Sequence, residues 1–112
     1  SSTPLGDVAE ARAIALALGA GVASTVPVSG TKALYGHPLG ASGAIEAAIC
    51  ALAIRDGWAP PSVNLDAVDG DIAALLPCLL REGREGEYRR VLSTSFGFGG
   101  LNAALVFGAP GA

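Results

Sequence analysis

Apolar residues in this chain run in long, nearly uncharged blocks punctuated by glycine and proline. In the first block, Asp7 and Glu10 stand at capping-box spacing, which predicts a helix from there to about Leu18, stopped by Gly19 and Gly21. Residues 22–28 are rich in β-branched side chains and predict a short buried strand. A glycine-punctuated connection over residues 30–43 leads into residues 44–55, which are apolar almost all round with Glu46 as the only internal charge. A helix without a polar face is expected to be buried on all sides. Asp56-Gly57 ends it, and Ala59-Pro60-Pro61-Ser62 begins an extended loop that runs past Asn64. Residues 75–80 form an apolar patch that reads as a strand edge interrupted by Pro77. Residues 88–95 and 102–107 are strand candidates joined by the turn over Gly97 and Gly100. Helix, strand, helix and two final strands indicate one layered α/β unit over residues 1–112.

Composition changes this picture in one respect. Of the 112 residues, 51% are hydrophobic and only 15% charged, where a freestanding domain carries about 25% charged residues. A fold of this size buries roughly 60–70% of its unfolded surface, so these few charges leave apolar surface that must pack on something else. The chain therefore reads as part of a larger core or a tight oligomer subunit. With no methionine, and with Ser1-Ser2-Thr3-Pro4 at its start, it is expected to be an internal segment of a longer protein. No basic region precedes an apolar run as in a signal peptide. The longest uncharged interval, residues 13–31, is broken by Gly19, Gly21, Pro27 and Gly30, so no membrane span is expected.

Net charge is −3, and Arg81, Arg84, Arg89 and Arg90 are interleaved with Glu82, Glu85 and Glu87 as on a solvated turn face. This argues against nucleic acid as a partner. Cys50 and Cys78 lack C-x-x-C spacing and read as buried small hydrophobes, which fits a reducing compartment and points to no metal and no disulfide framework.

Chemistry concentrates around His37, the single histidine. Pro38 has no N–H, so Leu39 is the nearest downstream backbone donor able to reach Nδ1. Such a bond would place the proton on Nε2 and make the ring a neutral donor suited to an oxyanion or a thioester carbonyl. The local pattern by itself favours a core histidine bonded to main chain. Lys32 can hold a phosphate, orient a carboxylate or extend to solvent. Glu46, in an apolar helix, needs a partner or a proton. Lys32, His37 and Glu46 are the ionisable side chains between Arg12 and Arg55, Tyr35 and Cys50 apart, and are expected to share one polar site. Ser95-Phe96-Gly97-Phe98-Gly99-Gly100 can form a nest of N–H groups for an oxyanion, or simply a glycine-rich hairpin turn.

Taken together, Ser2-Thr3-Pro4-Leu5-Gly6-Asp7 with Glu10, Thr31-Lys32, Gly36-His37 with Gly40-Ala41 and Gly43, Pro60-Pro61, Asn64, and Ser95 to Gly100 with Asn102 resemble the C-terminal half of β-ketoacyl-(acyl carrier protein) synthases. These are condensing enzymes of the thiolase-like fold, and the resemblance covers essentially the whole chain. It implies the C-terminal half of a layered α-β-α architecture, incomplete without its N-terminal half. Arg55-Asp56-Gly57 with Pro60-Pro61-Ser62-Val63-Asn64, and Phe98 before Gly99-Gly100, look like the fatty-acid elongation type.

The resemblance implies a decarboxylative Claisen condensation of an acyl thioester with a malonyl thioester, with acyl carrier protein as partner and no cofactor. His37 matches the histidine that stabilises the malonyl thioester oxygen. Lys32 matches the lysine of the polar network and Glu46 the acid paired into it. Phe98 matches the gating phenylalanine, whose N–H is also an oxyanion donor, within the mobile loop of Phe96, Gly97, Gly99 and Gly100. The nucleophilic cysteine and the first catalytic histidine of the family belong upstream of Ser1, and neither Cys50 nor Cys78 stands where it could replace the cysteine. Leu101 stands where threonine is common, removing a loop hydrogen bond. Thr94 replaces a common asparagine, which weakens the case for a structural cation at Glu46. The complete protein is expected to be a cytoplasmic homodimer, and this chain alone catalytically silent and poorly soluble. A polyketide or mycolate-type ketosynthase, and a non-catalytic ketosynthase-like partner subunit, are the competing readings.

Overall fold

Thr3 rather than Asp7 starts the first helix. In the computed structural model, which describes all of residues 1–112, α1 spans Pro4–Leu18. The Thr3 hydroxyl accepts the Gly6 N–H at 3.2 Å and Pro4 occupies the first turn. Threonine at the cap followed by proline satisfies an orphan donor and needs none from the proline, so it outcompetes the acid predicted as the cap. Asp7 instead lies in the first turn, where the helix dipole favours it. Gly19, at φ 80, ends the helix as expected.

The strand expected over residues 22–28 does not form. One helical turn, α2 (Ala20–Ala23), takes its first residues, and the Ser24 and Thr25 hydroxyls donate back to the Gly21 and Val22 carbonyls. Pro27 has no N–H for a ladder. Only Val28 remains extended, in an isolated parallel bridge to Leu79. The patch at residues 75–80 is correspondingly divided between the end of α5 (Gly70–Leu75), a helix the sequence pattern did not indicate, and this bridge. Asp69 caps α5 by accepting the Asp71 N–H at 2.9 Å.

The connection at residues 30–43 holds a short helix, α3 (Lys32–Tyr35), closed by Gly36 at φ 88, and a 3-10 turn at Leu39–Ala41. It feeds α4 (Ser42–Asp56), which ends where predicted, on Gly57 in the left-handed region. Strand β1 (Trp58–Ala59) pairs antiparallel with β2 (Arg84–Glu85). Strands β3 (Arg90–Phe96) and β4 (Asn102–Gly108) form an antiparallel hairpin with Arg90 opposite Gly108 and Phe96 opposite Asn102.

Packing occurs in two places. Helices α1, α2 and α5 meet around Ala11, Ala23 and Leu76, with Ile14, Val28 and Leu75 beside them. Helix α4 lies on the β3–β4 hairpin, burying Cys50 and Ala53. The expectation that α4 is covered on all sides is not met within this chain, where Ile45 and Leu52 are exposed. Cys78, read as buried, is half-buried and donates to the Ser24 carbonyl. Only 8 of 112 residues are buried and no large side chain is fully so. The apolar excess noted in the sequence therefore lies at the surface, on Leu5, Leu16, Leu105 and Val106 among others.

The Gly57 cap is a test of this local architecture. Its φ is 64, and a Cβ there would lie 3.0 Å from the Gly86 carbonyl oxygen. Gly57→Ala is expected to destabilise the native-length protein by about 1–2 kcal/mol, measured by denaturant unfolding. An unchanged midpoint would show that the turn relaxes freely.

Candidate functional site

The connection between α3 and α4 presents His37. Its Nδ1 accepts the Leu39 N–H at 3.1 Å, with the Ser42 hydroxyl 3.5 Å away at the start of α4. Leu39 itself sits at φ 48, a left-handed conformation that a leucine adopts at a cost of about 1–2 kcal/mol. Strain of this kind persists where surrounding structure holds it. With Nδ1 occupied as an acceptor, the neutral ring carries its proton on Nε2. The imidazole is bonded to main chain, as a core histidine would be, and is exposed within this chain. Gly36, Pro38 and Gly40 flank it.

Lys32 and Glu46 form an ion pair, the Nζ on Oε1. Both are shielded, with side chains 29% and 15% exposed, so the solvent-exposed alternative for Lys32 is excluded. The geometry follows from the chain: Lys32 heads α3, and Glu46 lies one turn inside α4, separated by the turn that carries His37. Glu46 is thus supplied with the counter-charge that an apolar helix requires. Its second oxygen, Oε2, is buried without a partner. His37 hydrogen-bonds neither member; the pair and the imidazole are neighbours in sequence and topology, linked through the Gly36–Ala41 turn.

The glycine loop stands at the far end of β3. Gly97 N–H closes the turn on the Leu101 carbonyl at 2.8 Å, and Gly99 and Gly100 take φ values of 76 and 78. Those conformations are what glycine permits and other residues resist. The loop forms a 3-10 turn over Phe98–Gly100. Phe98 is 96% exposed and Phe96 is partly so, leaving the Phe98 ring free of any packing within the chain.

Several contacts the sequence did not indicate belong to this framework. Thr31 is buried and its hydroxyl hydrogen-bonds the Tyr35 hydroxyl at 2.8 Å, bracing α3 across its single turn. The Thr94 hydroxyl donates to Glu10 at 2.7 Å, tying β3 to α1. Spacing of i and i+4 could have suggested the first pair; nothing local could have suggested a contact across 84 residues. Thr94 is committed to Glu10 rather than Glu46, and no group of three His, Cys, Asp or Glu side chains is arranged to hold a metal.

Cys50 packs on Ser93 beneath α4. Burial pushes its thiol above the ordinary range, the Ser93 hydrogen bond works against that shift, and the Glu46 carboxylate adds to it. A thiol held in its neutral form is a poor nucleophile.

Residues 1–66 match the family model described as Beta-ketoacyl synthase, C-terminal domain. The 3-oxoacyl-[acyl-carrier-protein] synthase 2 of Vibrio cholerae is 43% identical over 108 residues, 96% of this chain and 26% of the relative. Its counterpart in Coxiella burnetii is 47% identical over 106 residues, covering 95% and 25%. That of Mycobacterium bovis is 43% identical over 108 residues, covering 96% and 25%. The chain thus spans about a quarter of the length of these curated relatives.

Cys50 offers a check on the packing of α4 against β3. In the folded native-length protein, iodoacetamide is expected to modify Cys50 at least roughly tenfold more slowly than in denaturant, read peptide by peptide by mass spectrometry. Because its raised pKa favours the protonated thiol, the folded-state rate should rise with pH only above the range where a free cysteine ionises. A midpoint at or below that range would contradict the buried placement.

Proposed function

The chain belongs to the β-ketoacyl synthase family, matching its C-terminal domain, and on that footing we propose that it is the C-terminal part of a 3-oxoacyl-(acyl-carrier-protein) synthase of fatty-acid elongation. Its relatives bear that name and align with nearly the whole chain. The observation that carries the reading is the Leu39 N–H on His37 Nδ1. It leaves Nε2–H as a fixed, neutral donor on an exposed face.

In the proposed reaction, an acyl group rides on a cysteine contributed by the remainder of the enzyme. A malonyl thioester loses CO₂: the bond between its carboxylate carbon and Cα breaks, and the electron pair passes into an enolate. Negative charge then develops on the thioester oxygen. The His37 Nε2–H donates a hydrogen bond to that oxygen, stabilising the charge as it forms. The enolate carbon attacks the acyl carbonyl, forming the new C–C bond, and the cysteine thiolate leaves as the tetrahedral oxyanion collapses.

A neutral donor suits this task. An imidazole with Nδ1 engaged does not need to exchange protons with solvent to be ready, so no reorganisation is spent at the moment of reaction. Lys32 and Glu46 support the site beside it. The ammonium places a positive charge near the developing enolate, and Glu46 orients the ammonium while limiting that charge. Phe98, unpacked on a glycine loop, suits a gate that swings as the acyl chain enters, its N–H serving the acyl-cysteine oxyanion.

The partners follow from this chemistry: acyl carrier protein, acyl and malonyl thioesters, and the rest of the same polypeptide. That remainder would cover the exposed leucines and valines and complete a layered α-β-α fold of the thiolase kind. The whole enzyme is proposed to act as a cytoplasmic homodimer. No helix here is long and apolar enough to cross a membrane.

Half-reactions of the whole enzyme separate these roles. His37→Ala is expected to lower malonyl decarboxylation by about 10²–10³-fold while acyl loading of the cysteine changes little, measured by CO₂ release and by intact mass. Loading lost with decarboxylation preserved would refute the assignment. Phe98→Ala should alter the rate of acyl loading while leaving decarboxylation of malonyl thioester by the acylated enzyme nearly unaffected. Acylation at the wild-type rate would remove the gate.

A further inference from the structure

We infer that Ser62 is a positioning residue for the reaction site, holding the turn that delivers Lys32 to Glu46. The inference rests on the reading of Lys32, His37 and Glu46 given above.

Ser62 is buried, and its hydroxyl accepts the Gly30 N–H at 2.8 Å. Its own N–H donates to the Leu80 carbonyl at 2.8 Å, and the Leu80 N–H donates to the Val28 carbonyl at 2.8 Å. From Val28 the chain reaches Gly30 through Ser29, so the bonds close a ring through Ser62, Leu80, Val28 and Gly30. A further bond, Val28 N–H to the Cys78 carbonyl at 3.1 Å, pins the same segment from its other side.

The ring ends two residues before Lys32. Thr31, between them, is buried and bonded to Tyr35, so whatever fixes Gly30 fixes the first turn of α3. The remaining members of the ring are backbone groups, which substitution does not remove. The Ser62 hydroxyl is the one side-chain link. Pro60 and Pro61 precede it, each with a restricted φ, so the hydroxyl is presented from a stiff stretch of chain.

Without this hydroxyl, the N–H of Gly30, an exposed residue, loses its protein acceptor and turns to water instead, which frees the segment from Ser62. The segment then moves toward solvent and takes the Lys32 backbone with it. Glu46, anchored in α4, does not follow. Because Oε2 of Glu46 already lacks a partner, the site has no second contact to hold the carboxylate in place. Misplacement of a positioned charge by about 1 Å is enough to cost as much as 10²-fold in rate.

Ser62→Ala, Ser62→Thr and Lys32→Ala in the complete enzyme test this. Ser62→Ala should lower kcat for malonyl thioester decarboxylation by about tenfold with KM changed far less and cysteine acylation nearly preserved. Hydrogen exchange at the Gly30 amide should accelerate in the same variant. Ser62→Thr, which keeps the hydroxyl, should restore both. The proposal is overturned if Ser62→Ala decarboxylates at the wild-type rate while Lys32→Ala does not, a result that leaves the site reading intact. Equal loss of acylation and decarboxylation, or a threonine variant as impaired as the alanine, also overturns it. If Lys32→Ala itself decarboxylates normally, the reading of the site falls and the role of Ser62 falls with it.

Discussion

A carboxylate inside an apolar helix must be neutralised, and that requirement organises the middle of this chain. Glu46 is the only acid within α4 before its last residue, and burial makes an unpaired charge there costly. Lys32 meets it from α3, across the turn holding His37. The two short segments between them are therefore not free to wander. Their ends are joined by charge, their start is held by Ser62 and Thr31, and their middle is fixed by the Leu39 N–H on the imidazole.

Rigid and loose parts lie in different regions of the chain. The imidazole sits on a turn between the two helices that carry the ion pair, a rigid setting of the kind the donor role proposed for His37 requires. The Phe98 loop is the opposite case. It has one closing hydrogen bond, from Gly97 to Leu101, two glycines at positive φ, and an aromatic ring with nothing packed on it. Helix α4 and strand β3 connect the two regions through the Cys50–Ser93 contact, and burial there, against the pull of the Ser93 hydrogen bond, favours the protonated thiol.

Much of this was legible in the chain. Gly57 announced the end of α4, and the two strand candidates joined across the Gly97–Gly100 turn announced the hairpin, because turn glycines act through local sterics. Leu39 as the donor to His37 was readable from Pro38 alone, since proline removes the only nearer N–H. The cap of α1 was misread because Asp7 and Glu10 have capping-box spacing, whereas Thr3-Pro4 satisfies the helix start one turn earlier. The valines of residues 22–28 suggested a strand, yet hydroxyl back-bonds from Ser24 and Thr25 and the missing N–H of Pro27 left only Val28 extended.

By itself the sequence determined what local chemistry controls: helix ends, the hairpin turn, the family, the scarcity of charge, and the need of Glu46 for a partner. It placed Lys32 and His37 with Glu46 in one site, and the family resemblance implied Lys32 as the partner, but whether an ammonium on a four-carbon stem turns inward or outward is a question of packing. Tertiary structure decided that, and also the exposure of His37, the bond from Thr94 to Glu10 and the ring closed by Ser62. Each depends on segments far apart in the chain meeting at hydrogen-bond distance, and no local preference encodes such a meeting. It arises only when burial of the helices and the hairpin has already set where the turns between them must lie.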